Sequence, residues 1–93
     1  MGYVLVDLKS KRVIRVGESI VFCMTKNRSV KFRGKLIKIA PNGSLVFNNL
    51  YLYKNNKEFE RVDCELSTAV YEIRVWNGRN GYNDIVIKFD WAV

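Results

Sequence analysis

Val30-Lys31-Phe32-Arg33-Gly34-Lys35-Leu36-Ile37-Lys38-Ile39 is the stretch that decides the fold. From Val30 to Leu36 the even positions are apolar or glycine and the odd ones basic. A strand laid through them packs one pleat face and shows cations on the other. After Leu36 the phase reverses, because Ile37 and Ile39 are apolar and Lys38 is charged. A strand changes its buried face in this way only at a bulge or a sharp bend, and Gly34 sits just before the reversal. The residues therefore predict a long strand over 29–40 that turns the corner of a closed or half-closed barrel.

Outward from that strand, Pro41-Asn42-Gly43 reads as a tight turn, with proline presetting φ and Asn-Gly tolerating positive φ. Residues 44–53 return as a strand, Lys54-Asn55-Asn56-Lys57 turns the chain again, and 58–65 make the next pass. On the N-terminal side, strands are predicted over 3–8, 12–16 and 19–25. Gly17-Glu18 and Lys26-Asn27-Arg28 serve as connections. On the C-terminal side, strands over 70–76 and 85–93 are joined by Asn77-Gly78-Arg79-Asn80-Gly81-Tyr82-Asn83. In the last strand Ile85, Ile87, Phe89, Trp91 and Val93 share the face expected to be core, and only Leu66-Ser67-Thr68-Ala69 suits a helical turn. Short runs of period two between turn residues predict an all-β protein, a small barrel of about five to seven strands bent near Gly34.

The chain has 93 residues, a length that fits one domain spanning 1–93. It contains no histidine, which removes the usual general base, the Ser-His and Cys-His nucleophile pairs and the commonest zinc ligand. Glycine-rich phosphate loops and metal-ligand spacings are missing too, so the sequence reads as a non-enzyme without a cofactor. No apolar run is long enough to span a membrane, and the start lacks the charged head and cleavage site of a signal peptide. These features predict a cytoplasmic protein. Cys23 and Cys64 stand alone and read as reduced thiols filling core space, with a single disulfide as the alternative.

Charge is unevenly distributed. Residues 1–38 carry ten bases and two acids, while 39–93 carry six bases and seven acids. The basic N-terminal part favours nucleic acid or an acidic protein surface as partner, although a solvated, solubilising face has the same composition. Along the long strand Lys31, Arg33 and Lys35 recur about 7 Å apart, twice the strand rise. That spacing suits tracking the phosphates of an extended single strand, with Arg28 at the end of the stripe and Lys11, Arg12 and Arg15 in support. The same stripe would protect an edge strand from pairing with other chains. Of the aromatics, Tyr82 in the 77–83 loop is the one expected to face solvent and stack on a base. Either Tyr51 and Tyr53, with Leu45 and Phe47, or the alternate face of Val46, Leu50 and Leu52 must look outward. Glu58, Glu60, Asp63 and Glu65 read as solvated acids or cross-strand partners of the lysines, not as a catalytic pair.

Two families share features with the middle of the chain. Gly34, Leu36, Ile39 and the run from Leu45 resemble, at the right offsets, the first motif of the Sm and LSm proteins. Membership would imply a bent five-stranded barrel that binds RNA, often as a ring joined strand to strand. Ala40 stands where that family has its aspartate and Ser44 where it has an RNA-contacting asparagine, so the resemblance speaks for the fold more than for the pocket. Its second motif, a late Arg-Gly pair, is echoed only by Arg74 and Asn77-Gly78. Lys11, Arg12 and Arg15, followed by the turn ending at Gly43, also resemble a degenerate PilZ domain, a β-barrel that binds cyclic di-GMP. The polar turn residues of that family are lost here, which implies a non-binding adaptor.

Two functions follow from these residues. The first is a binding module for the phosphate backbone of RNA or single-stranded DNA. The second is a protein-interaction module, an inhibitor or adaptor, docking through an edge strand or the 77–83 loop, with edge strands able to join copies into a homo-oligomer.

Overall fold

The computed structural model describes residues 2–54 and 57–93, with side chains at every one of these positions but 54, 58, 59 and 80. The chain is all-β. Among the described residues ten strands run in order: β1 (Tyr3–Asp7), β2 (Val13–Ile14), β3 (Ser19–Met24), β4 (Lys31–Ile39), β5 (Ser44–Lys54), β6 (Lys57–Val62), β7 (Leu66–Ala69), β8 (Ile73–Trp76), β9 (Tyr82–Asn83) and β10 (Ile85–Phe89). Among the described residues only single 3-10 turns interrupt them, at Val70–Glu72, Gly78–Asn80 and Asp90–Ala92. Among the described residues no helix is long and apolar enough to cross a membrane. A radius of gyration of 12.5 Å matches the roughly 12 Å of a compact chain of this length.

The strands form two sheets. The smaller has the order β10-β1-β2, and the larger runs β6-β5-β4-β3-β8-β9, with β7 also paired to β5. Leu5, Ile14 and Ile85 from the first sheet meet Ile20, Phe22, Leu36, Phe47, Ile73 and Val75 from the second in one core. Phe22 lies at its centre, stacked on Phe47 at 4.4 Å and on Phe32 at 5.6 Å.

The phase reversal in the long strand is made by bulges. Between Arg33 and Lys35 the pairing of β4 with β5 slips by one extra β5 residue; between Leu36 and Lys38 it slips back by one extra β4 residue. Ile37 is therefore the bulged residue that moves the apolar positions of β4 from even to odd. The compensating bulge in β5 holds Asn49 at φ 48°, a left-handed conformation that asparagine tolerates. It resolves the choice between the two faces of β5 by switching them midway. Leu45 and Phe47 point into the core before it and Leu50 after it, which turns Tyr51 and Tyr53 outward. Gly34 sits at the first slip. A Cβ there would lie 2.7 Å from the end of the Leu50 side chain, so any larger residue must displace Leu50 from the place where it packs over Gly34.

The turn at Pro41-Asn42-Gly43 forms as expected. The Gly43 N–H donates to Ala40 O at 3.1 Å, Gly43 has φ 94°, and the Asn42 side chain accepts from the Ser44 N–H at 3.0 Å. The turn expected at Lys54-Asn55-Asn56-Lys57 crosses residues 55 and 56, which lie outside the described residues.

Other expectations need correction. Leu66–Ala69 is a strand, not a helical turn, because its backbone pairs with Ser44 to Phe47 of β5. The helical turn follows it at Val70–Glu72 and shortens the next strand to Ile73–Trp76. The last strand ends at Phe89. Ile85 is core and Ile87 packs against it, but Phe89, Trp91 and Val93 are exposed: the ladder with β1 ends at the pair Tyr3 and Phe89, and Asp90–Ala92 then turn as a 3-10 helix. Both cysteines are free, as read; Cys23 is buried, whereas Cys64 lies exposed just past β6.

Asp7 holds the two sheets together at one end. It is fully buried, and its Oδ1 accepts the Lys9 and Ser10 N–H groups at 2.9 and 3.0 Å. Its Oδ2 accepts from Nδ2 of Asn83, on β9 of the other sheet, at 3.0 Å. Burial alone raises a carboxyl pKa; the hydrogen bonds from Ser10, Asn83 and Lys9 together outweigh it and hold Asp7 below the ordinary carboxylate value.

Candidate functional site

Five adjacent strands of the larger sheet contribute to one outward face. Cross-strand register aligns Tyr53, Lys31, Cys23 and Arg74 in one row. Two residues along, Tyr51, Arg33 and Val21 align in the next. Val21 then neighbours Trp76, one step past the Phe22 and Val75 pair, and Trp76 pairs with Tyr82. The centre of this face is low, because Val21 and Cys23 are short, and aromatic rings rise on either side. The result is a cleft of about 450 Å³ lined by Val21, Lys31, Tyr53, Trp76 and Tyr82.

The cations lean on the rings. The Lys31 ammonium lies 5.3 Å from the centre of the Tyr82 ring, and the Arg33 guanidinium 4.9 Å from that of Tyr51. Contacts of this kind contribute about 0.5–1 kcal/mol at exposed sites. Trp76 and Tyr82 pack at 5.0 Å with planes tilted by 53°. Burial pushes the Tyr82 hydroxyl above its ordinary pKa, with smaller contributions from Cys23 and Tyr53, so it stays a neutral hydrogen-bonding group. Burial likewise raises the Cys23 thiol, against the positive charges of Arg28, Arg74 and Lys31.

Lys31, Arg33 and Lys35 share this face, as the alternation of β4 requires. β4 is hydrogen-bonded to β3 on one side and β5 on the other. Protection of an edge is therefore not what the stripe does, because β4 is a central strand. Among the described residues Arg28, Lys31 and Lys35 form no ion pair. Arg28 is exposed in the turn before β4, and Lys35 is exposed opposite Ser19 and Asn48.

The supporting cations lie elsewhere. Lys11 is exposed in the turn from β1 to β2, at φ 65°. Arg12 meets Glu18 at 3.4 Å, and Arg15 is hydrogen-bonded to Asp90. Arg15 and Asp90 line a separate depression with Tyr3, Val16 and Lys38. Arg74 on β8 is bound by Asp84 at 3.0 Å. Of the acids on and after β6, Asp63 faces Arg61 at 3.7 Å, and Glu60 and Glu65 are exposed; the Glu58 side chain lies outside the described residues.

Tyr82 is half-buried rather than the exposed aromatic of its loop, because it pairs with β8 and packs on Trp76. Trp76 joins it unforeseen, together with Tyr51 and Tyr53, which the sequence placed on one of two alternative outward faces of β5. Trp76 was legible as the outward member of the alternation Ile73, Arg74, Val75, Trp76. Bringing β8 beside β3 and the tyrosines of β5 depends on long-range pairing that spacing cannot show. No family model, curated protein or solved structure matches the chain.

Proposed function

We propose that this chain is a non-enzymatic binding module that holds the backbone of RNA or single-stranded DNA against the outer face of β4. Lys31, Arg33 and Lys35 take phosphates, and Arg28 extends the track. The observation that carries this reading is the set of cations on one face of a central strand, interleaved with outward aromatics from β5, β8 and β9. Such a face supplies the two things a single strand recognises, positive charge and stacking surface. Arg12 and Arg15 already meet carboxylates and have a lesser part. The double bulge and the close approach at Gly34 also support reading the architecture as a small Sm- or SH3-like barrel, in which β4 and β5 make the corner.

The test is the affinity for a fluorescent oligonucleotide measured against salt. Affinity should fall log-linearly with salt concentration, by a slope of about 0.7 for each cation engaged with a single strand. Undetectable binding at low salt, or binding indifferent to Lys31→Glu, Arg33→Glu and Lys35→Glu, rejects the proposal.

A second reading has its own observation. Tyr3, Phe89 and Trp91 form an aromatic run, with centroids 5.0 and 5.7 Å apart, beside the outer strand β10 of the smaller sheet. Trp91 is 74% exposed there. A protein-interaction module would dock an acidic partner, or a second copy in a homo-oligomer, on that edge. Co-purification of one protein, with no affinity for nucleic acid, would establish it in place of the first.

A further inference from the structure

We infer that the cleft between Tyr53 and the pair Trp76 and Tyr82 is a base-stacking subsite, taking one unpaired nucleobase of a strand whose phosphates lie along β4. The inference deepens the backbone-binding reading and rests on it. Aromatic rings wall the cleft from two directions, Val21 forms an apolar floor, and among the described residues no carboxylate lines it. Its volume of about 450 Å³ falls within the roughly 300–1,000 Å³ of pockets that enclose small ligands. Trp76 remains 42% exposed after packing on Tyr82, and the 53° tilt between them leaves indole surface open. Lys31 stands at the cleft with its ammonium over Tyr82, where it can pair with the phosphate of the nucleotide whose base enters.

An aromatic slot beside a cation discriminates by base accessibility. Bases in a duplex are stacked on their neighbours and cannot enter, while those of a single strand can splay out onto the rings. The subsite therefore selects single strands over duplex, which the phosphate track alone does not do.

The experiment uses the full chain carrying Trp91→Phe, so that Trp76 is the sole tryptophan. It is titrated with a short oligothymidylate, with an abasic oligomer of the same phosphate number, with a duplex and with a polyglutamate peptide. Oligothymidylate should quench Trp76 fluorescence and bind more tightly than the abasic oligomer or the duplex. Tyr53→Ala and Trp76→Ala should each weaken that binding about five- to 150-fold while leaving the salt slope unchanged, and Trp76→Phe should keep most of it. Abasic and thymidylate oligomers binding alike, without quenching, would overturn the base subsite and leave the phosphate track standing. No binding of any oligomer at low salt would overturn both. Quenching by polyglutamate alone would make the cleft a site for acidic peptide and overturn the inference.

Discussion

Asp7 shows what a single residue contributes to this chain. A carboxylate closing the turn after β1 could have been solvated; instead it is buried and joins the two sheets through Asn83. Replacing it by alanine leaves the Lys9 and Ser10 N–H groups and the Asn83 amide without their acceptor, which costs about 1–3 kcal/mol. The pH dependence has a definite sign. Because the folded-state pKa lies below the ordinary value, ionised Asp7 adds stability above its unfolded pKa of roughly 3.9. That contribution disappears as pH falls through the folded value. Urea midpoints of the natural chain and of Asp7→Ala, measured over a pH series, should therefore differ most near neutrality and converge in acid. A gap that stays constant with pH would mean that the carboxylate is not what binds the sheets. Asp7 was unremarked in the sequence because it ends an apolar run like any strand-terminating acid, and its partner lies 76 positions away.

At the scale of the elements, the strand from Lys31 to Ile39 was the most legible, because a reversal of binary pattern has few physical causes. The pattern placed a bulge or bend just after Leu36, where the structure has the bulge at Ile37, whereas the close approach of Gly34 to Leu50 depends on a residue of the partner strand. The compensating bulge at Asn49 was not legible: Tyr51, Tyr53, Leu45 and Phe47 hold an unbroken odd phase, and the slip in pairing with β4, the left-handed Asn49 and the burial of Leu50 show where the face switches. The end of β10 failed for a related reason. Alternation continues through Trp91 and Val93, but the ladder with β1 ends at the pair Tyr3 and Phe89, and the chain turns into the 3-10 helix Asp90–Ala92. Gly34→Val tests the bent pair directly. The added side chain meets Leu50 and Phe47, overpacking of a kind that costs about 1–3 kcal/mol. The denaturation midpoint should fall accordingly, and an unchanged midpoint would show that β4 and β5 can separate at the bend.

Over the whole molecule, the excess of cations is divided by the fold into two populations that composition could not separate. Arg12, Arg15 and Arg74 each meet a carboxylate, whereas Arg28, Lys31 and Lys35 form no ion pair among the described residues. A cation already paired with a protein carboxylate gives up that partner to neutralise a phosphate, so it displaces fewer of the counterions condensed on the strand. An unpaired one contributes its full share. Neutralising Arg12 and Arg15 together as Arg12→Gln and Arg15→Gln should therefore leave oligonucleotide affinity within about twofold and the salt slope nearly as before, whereas Lys31→Gln and Lys35→Gln should each lower that slope by about 0.7. Affinity measured at several salt concentrations for both sets distinguishes a track along β4 from diffuse attraction by net charge. Under diffuse attraction each neutralised cation would weaken binding equally, wherever it stands, and the arrangement of the face across β5, β4, β3, β8 and β9 would have no bearing on recognition.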